Sequence, residues 1–258
     1  MRAVPSLTMT VDPLQQHRQD WEALGRLDPC WAVLSDSAKQ YGKWNLDEFF
    51  ATGKREVADV MEQAAGLCLP LRRDVALDFG CGIGRLTRAL AEYFNTCYGV
   101  DISDSMVHQA ISTTPPSNCR FLVNTENNLR RFADGSFDLI YSVLVLQHLP
   151  TRLLITAHLS EFLRTLREGG LLVFQLPSYI PFHKRLQLRR HLFTLLKSCG
   201  VDGGRIYTAL GISPIRMTFI PEREVTDILG RADGRMLAIR SDSMSGPGIE
   251  SRTYFVTK

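Results

Sequence analysis

The residues best placed to do chemistry lie in "LDFGCGIGRL" (Leu77–Leu86), where an acid, Asp78, precedes a turn containing Gly80, Gly82 and Gly84. Glycines that close an apolar run let the backbone approach a ligand, and in dinucleotide sites the spacing G-x-G-x-x-G seats a pyrophosphate on a helix N-terminus. Here the spacing is G-x-G-x-G, and a carboxylate at the turn would repel a pyrophosphate and attract a cation. The expected ligand therefore carries positive charge next to groups that can accept from open backbone amides. S-adenosylmethionine, with a sulfonium, an ammonium and a carboxylate on an adenosine, has that pattern of charge.

A second acid, Asp101 in "YGVDIS", closes the next apolar run about twenty residues on, where an acid can accept from both hydroxyls of a ribose. Its alternative reading is an N-cap of the following helix. Ile102 adjoins it, and Met106 follows at a distance that lets a thioether lie against a flat adenine. His148, just past the fourth apolar run, is the candidate general base, since an imidazole of ordinary pKa near 6.5 accepts a hydroxyl proton close to neutrality. The competing reading is a histidine that bonds backbone and shapes the turn before Pro150. His108 and His158 are expected to face solvent, and His183 and His191 have no assigned part.

These residues need a frame that brings them together. Apolar runs at "VALDFG", "TCYGVDI", "RFLVN", "FDLIYSVLV" and "LLVFQLP" alternate with helical periodicity, which implies a parallel sheet wound on both faces. One helix is expected over Thr156–Leu166, ended by Gly169 and Gly170. "RMLAIRSD" and "SRTYFVTK", separated by "SMSGPGIE", read as an antiparallel hairpin completing the sheet. We expect a helical arm or cap over 1–70, a catalytic domain over 71–258, and within it a helical lid insert over 178–220. Ligands of such sheets bind outside the carboxyl ends of the strands, where Asp78, Asp101, the Asn124 turn, Ser142, Val143 and His148 all fall.

The motifs "VALDFGCGIGRLTRAL", "YGVDISDSMVHQA", "ADGSFDLIYSVLVLQHL" and "FLRTLREGGLLVFQLP", in this order over 75–177, resemble class I S-adenosylmethionine-dependent methyltransferases. The resemblance implies an α/β, Rossmann-like, doubly wound fold: a seven-stranded, mostly parallel sheet whose last strand is antiparallel. It also implies that Asp78, Gly80 and Gly82 surround the methionine part, that Asp101 takes the ribose, and that Arg85 assists at the carboxylate. The sequence departs from the family after the third strand, where "VNTENNL" lacks the usual Asp, so Asn124 or the backbone of Thr125 and Glu126 would serve the adenine instead. After the fourth strand "YSVLVLQH" replaces the N/D-P-P-Y/F loop of nucleobase amino-group methyltransferases. That favours O-methylation of a hydroxyl on a sugar or secondary metabolite. The competing classes are an RNA or protein methyltransferase and a cofactor-binding protein without turnover.

Composition narrows the partners further. A net charge of +3 over 258 residues, 45% of them hydrophobic, describes a chain with a full core and no need of a polyanion, so nucleic acid is disfavoured and a small-molecule acceptor expected. No apolar stretch is long enough to span a bilayer and no leader is evident, which points to the cytoplasm. The six cysteines show neither metal-ligand spacing nor a disulfide framework, so no metal is expected and the thiols should be buried. No acidic residue lies between Glu168 and Asp202, while "FHKRLQLRRHLFTLLK" sets cations among leucines. We expect an amphipathic helix with a solvated basic face there, the alternative being a lid whose cations favour an acidic or phosphorylated acceptor. Trp21, Trp31, Trp44, Phe49 and Phe50 should anchor the arm, and Tyr41 and Gly53 are weaker candidates for closure over the cofactor.

Overall fold

The computed structural model of the chain describes residues 12–67 and 71–258, so Cys68 and the first residues of the arm lie outside it. The arm contributes α1 (Pro13–Leu27), α2 (Pro29–Val33) and α3 (Leu46–Gly66). Next come β1 (Val75–Phe79), α4 (Arg85–Leu90), β2 (Thr96–Asp101), α5 (Asp104–Ser112), β3 (Cys119–Val123), β4 (Phe137–Ser142), α6 (Arg152–Thr165) and β5 (Leu166–Tyr179). The insert holds α7 (Phe182–Arg185), α8 (Leu188–Ser198) and α9 (Gly203–Leu210), and α10 (Glu222–Arg231), β6 (Arg235–Asp242) and β7 (Glu250–Thr257) complete the chain.

The strands form one sheet in the order β3-β2-β1-β4-β5-β7-β6, with β7 antiparallel to both of its neighbours. This is the expected seven-stranded Rossmann-like arrangement. Every residue of β4 is buried, as an uninterrupted apolar run requires of a central strand covered on both faces. Successive side chains alternate between the two cores: Leu77 and Ile140 face Phe162 and Tyr254, while Ala76, Leu139 and Tyr141 face Val57 and Leu86. Register sets Asp78 opposite Gly99 and Tyr141, and Asp101 opposite Val123, so the carboxyl ends of these strands form a common ledge.

Two local expectations are revised. Helix α6 starts at a Thr151 cap, four residues before the expected start, and gives way at once to β5; Gly169 and Gly170 lie in that strand rather than capping the helix. A Cβ on Gly170 would stand 3.0 Å from the Asp138 carbonyl, so this glycine serves the β4–β5 approach. The basic helix α8 keeps Arg189, His191 and Lys197 exposed, as a solvated basic face requires, but leaves leucines in water as well. Arg189 donates to Gly211 O at 2.7 Å and Arg190 to Pro214 O at 3.2 Å, while Leu188, Leu192 and Leu195 are 68%, 46% and 59% exposed. The carbonyls of the irregular segment before α10 need donors, and the long guanidinium side chains reach them. Phe193, on the inner side, packs with Ile206 and Ile212. Cys30, Cys81, Cys97 and Cys119 are buried as expected, but Cys199, just past α8, is exposed. Among the described residues no helix is long and apolar enough to cross a membrane, and no cluster of potential ligands could hold a metal ion.

Candidate active site

Four amides of the glycine turn are already engaged. Gly80 and Cys81 donate to Val100 O at 2.7 and 3.1 Å, Gly82 to Asp101 Oδ2 at 2.8 Å, and Gly84 to Cys81 O at 2.9 Å. What the glycines supply is room. Gly80 and Gly82 have φ of 79° and 52°, and a Cβ there would lie 2.3 Å from Val145 and 2.5 Å from Val33. Backbone and ligand space can meet only because nothing projects from the turn.

Beside the turn lies a cavity lined by Gly80, Gly82, Asp101, Ile102, Met106, Asn124, Glu126, Val143 and His148, all of which the sequence singled out. Asp101 accepts from Gly82 N with one oxygen and from Ser103 N, at 2.9 Å, with the other. Burial raises its pKa, against the lowering effect of those backbone amides. Each oxygen keeps a lone pair for a further donor, so a carboxylate on this wall suits a vicinal diol. The apolar walls around it, Val100, Ile102, Met106 and Leu149, suit a flat heterocycle, and the donor set as a whole accommodates an adenosine.

Asp78, Arg85, Ser142, Thr125, Tyr41 and Gly53 do not line this cavity. Asp78 is fully buried behind the turn, where Oδ2 accepts from Thr87 Oγ1 at 2.6 Å, and burial pushes its carboxyl up to about 7. Arg85, only 2% exposed, points the other way, onto Glu56 at 2.7 Å, and Tyr141 donates to the other oxygen of Glu56 at 2.9 Å. Ser142 donates to Phe79 O, and Thr125 stands outside the lining while Asn124 and Glu126 are in it. Gly53 belongs to packing, since a Cβ there would meet Arg85 O at 2.4 Å.

The arm residues that line the cavity are not the ones the sequence offered for closure. Helix α1 brings Leu14, His17 and Trp21 onto the cavity. It is docked on α5 by Glu22, which accepts from Ser103 Oγ at 2.8 Å and Ser105 N at 3.1 Å. His17 and Trp21 are one helical turn apart, the only sign in the sequence that they share a face. His158, expected in solvent, is 2% exposed and lines the cavity too; its Nδ1 donates to Leu154 O at 2.8 Å, which satisfies it inside the fold.

His148 sits at the end of a directed chain of hydrogen bonds. Leu144 N can only donate, at 3.2 Å to Gln175 Oε1, so Gln175 Nε2 donates to Ser245 Oγ at 2.7 Å and Ser245 to Gln147 Oε1 at 2.8 Å. Gln147 Nε2 then faces His148 Nε2 at 3.1 Å, and His148 Nδ1 donates at 2.7 Å to Arg216 O, which can only accept. The chain fixes the neutral Nδ1–H tautomer. Burial lowers the imidazole pKa to about 4, overriding the opposing bond to Arg216, and burial together with His148 lowers His17 to about 3. Trp21 packs between the two, with its ring 5.4 Å from His148 and 6.1 Å from His17. Leu144, which starts the chain, holds φ of 60°, a strained value for a leucine at a cavity wall.

Comparison with known proteins places this geometry in a family. Residues 77–174 match the methyltransferase domain family. Over 195 residues the chain is 35% identical to trans-aconitate 2-methyltransferase of Deinococcus radiodurans, covering 74% of this chain and 70% of that protein. Over 135 residues it is 35% identical to 2-methyl-6-phytyl-1,4-hydroquinone methyltransferase of Synechocystis, covering 52% of this chain but only 41% of that protein. In fold it is similar to magnesium protoporphyrin IX methyltransferase of Synechocystis with bound SAH, at a TM-score of 0.61 and 21% identity, over 96% of this chain and all (100%) of that one. An S-adenosylmethionine-dependent methyltransferase of Leishmania major gives the same TM-score of 0.61 at 12% identity, over 95% of this chain and 83% of that one. The fold and the sheet-edge cavity define a class I α/β transferase. The chain belongs to the S-adenosylmethionine-dependent methyltransferases.

Proposed function

We propose that the chain moves a methyl group from S-adenosylmethionine to a hydroxyl oxygen of a small-molecule acceptor. The observation that carries this reading is that the Asp101 cavity shares Ala32, Val33, Leu144 and His148 with a second cavity on its outer side. One compartment suits the nucleoside and the next an acceptor. When bound, the cofactor supplies an electrophilic methyl carbon on sulfur. Asp101 accepts from the ribose hydroxyls, Met106 and Ile102 flank the base with Asn124 and Glu126 at its far edge, and Gly80, Gly82 and Val143 leave room for the methionine portion. Asp78, Arg85 and Ser142 act from behind, by shaping the turn and the strand ends.

At the boundary of the two compartments the acceptor hydroxyl would face that methyl carbon, and the proton it gives up would pass to water. With a pKa of about 4, His148 is a weak base that stays neutral at physiological pH. With Nδ1 bonded to Arg216 O and Nε2 to Gln147, its part is to shape the boundary between the two compartments. Most of the acceleration then comes from alignment, which can contribute on the order of 7–11 kcal/mol.

The test pairs calorimetry with labelled methyl transfer. S-adenosylhomocysteine should bind wild type and bind Asp101→Ala at least tenfold more weakly, and label should pass from S-adenosylmethionine to a hydroxylated acceptor in a panel. Binding of NADH in place of S-adenosylhomocysteine would overturn the reading.

A further inference from the structure

Two cavities follow the cofactor crevice in line. The second is walled by Trp31, Trp44, Ile215, Met217 and Met244, and meets the crevice at His148. The third shares Trp31, Ser35, Ile215 and Met217 with the second, and ends among His183, Lys184, Arg189 and Arg190 on α7 and α8. No acidic side chain lines the third cavity.

Its cations line the cavity with Arg189 exposed and Lys184 and Arg190 half-buried. Among the described residues, Lys184, Arg189 and Arg190 make no ion pair and donate instead to the carbonyls of Pro247, Gly211 and Pro214. Asp20, on the facing helix α1, accepts from Gln16 and pairs with none of them. Arg216, half-buried, has its pKa lowered by burial and by the charge of Arg190, against the raising effect of Asp20, so two like charges stand close together. The Trp31 indole N–H, in a residue only 9% exposed on the wall common to the second and third cavities, also lacks a partner. A buried donor and unneutralised guanidinium groups around one space call for an acceptor-rich anion.

We propose that the methyl acceptor is an elongated amphiphilic anion: a hydroxyl at the end facing His148, an apolar or aromatic middle against Trp31, Trp44 and Met217, and a terminal carboxylate or phosphate bound by Lys184, Arg189 and Arg190. The inference rests on the methyltransferase reading of the crevice.

The test uses the full chain saturated with S-adenosylhomocysteine and titrated by calorimetry. The probes are a length series of ω-(4-hydroxyphenyl)alkanoates and ω-(4-hydroxyphenyl)alkyl phosphates, with the methyl esters of the acids as neutral controls. We expect one length of acid or phosphate to bind at least tenfold more tightly than the matching ester, with affinity falling as salt rises. In the double variant Arg189→Gln/Arg190→Gln the charged probe should drop to the level of the ester while affinity for S-adenosylhomocysteine is unchanged, a result that also shows the variant is folded. Equal binding of acid and ester, no binding of any charged probe, or a preference that survives in the double variant would overturn the acceptor class alone. If S-adenosylhomocysteine does not bind wild type, the methyltransferase reading itself fails and this inference goes with it.

Discussion

With Gly82 N–H on one oxygen and Ser103 N–H on the other, the Asp101 carboxylate is held rigidly on the cavity wall. Asp101→Asn turns an amide donor toward one of those N–H groups, and should cost about 1–3 kcal/mol of stability as well as cofactor affinity, read by urea denaturation and calorimetry. The histidines make a prediction in pH. His17 and His148, lowered to about 3 and about 4, stay neutral in the fold when the unfolded chain begins to take protons near pH 6.5. Stability is therefore lost as pH falls from about 6.5 toward about 4, with a slope of about 1.4 kcal/mol per unit for each histidine. His17→Gln should flatten the wild-type slope by that amount in urea titrations. Asp78, raised to about 7, acts with the opposite sign: the folded carboxyl keeps its proton where the unfolded one has lost it, so its contribution falls as pH rises toward 7. Turnover should show no inflection near pH 6.5 from His148, whereas a base of ordinary pKa would produce one. The identities of Asp101, Met106 and His148 were legible as a ligand wall, but the protonation state of His148 was not, because burial and the Gln175–Ser245–Gln147 chain set it.

At the scale of elements, the decisive contact is between α1 and α5. A Cβ on Gly25 would meet Ser105 Oγ at 2.6 Å and Met106 Cγ at 3.0 Å, so the two helices approach as closely as backbone allows. Gly25→Val should lift α1 from the cavity and speed dissociation of S-adenosylhomocysteine at least tenfold, measured by stopped-flow fluorescence; an unchanged off-rate would mean that α1 is not the cover. The seven strands could be read from apolar runs and alternation, because strand burial is written in local pattern. The contacts of α8 could not. Its exposed Arg189 and half-buried Arg190 end on carbonyls of Gly211 and Pro214 that are distant in sequence.

For the molecule as a whole, the arm is tied to the sheet through Arg85, Glu56 and Tyr141. Glu56→Ala would leave the Arg85 guanidinium buried without its carboxylate and should cost about 3–5 kcal/mol, seen as a fall in Tm. Saturating ligand acts in the other direction: S-adenosylhomocysteine at one hundred times its Kd should add about 2.7 kcal/mol. The sequence by itself determined the sheet, the glycine turn and the acid at the end of β2, because these rest on residue type and short spacing. Only the tertiary structure decided that Asp78 and Arg85 stand behind the turn, that His17 and Trp21 of α1 line the cavity, and that Arg189 and Arg190 end on distant carbonyls. Those outcomes depend on which distant group satisfies each buried charge or carbonyl, and that competition is settled only when the whole chain has packed.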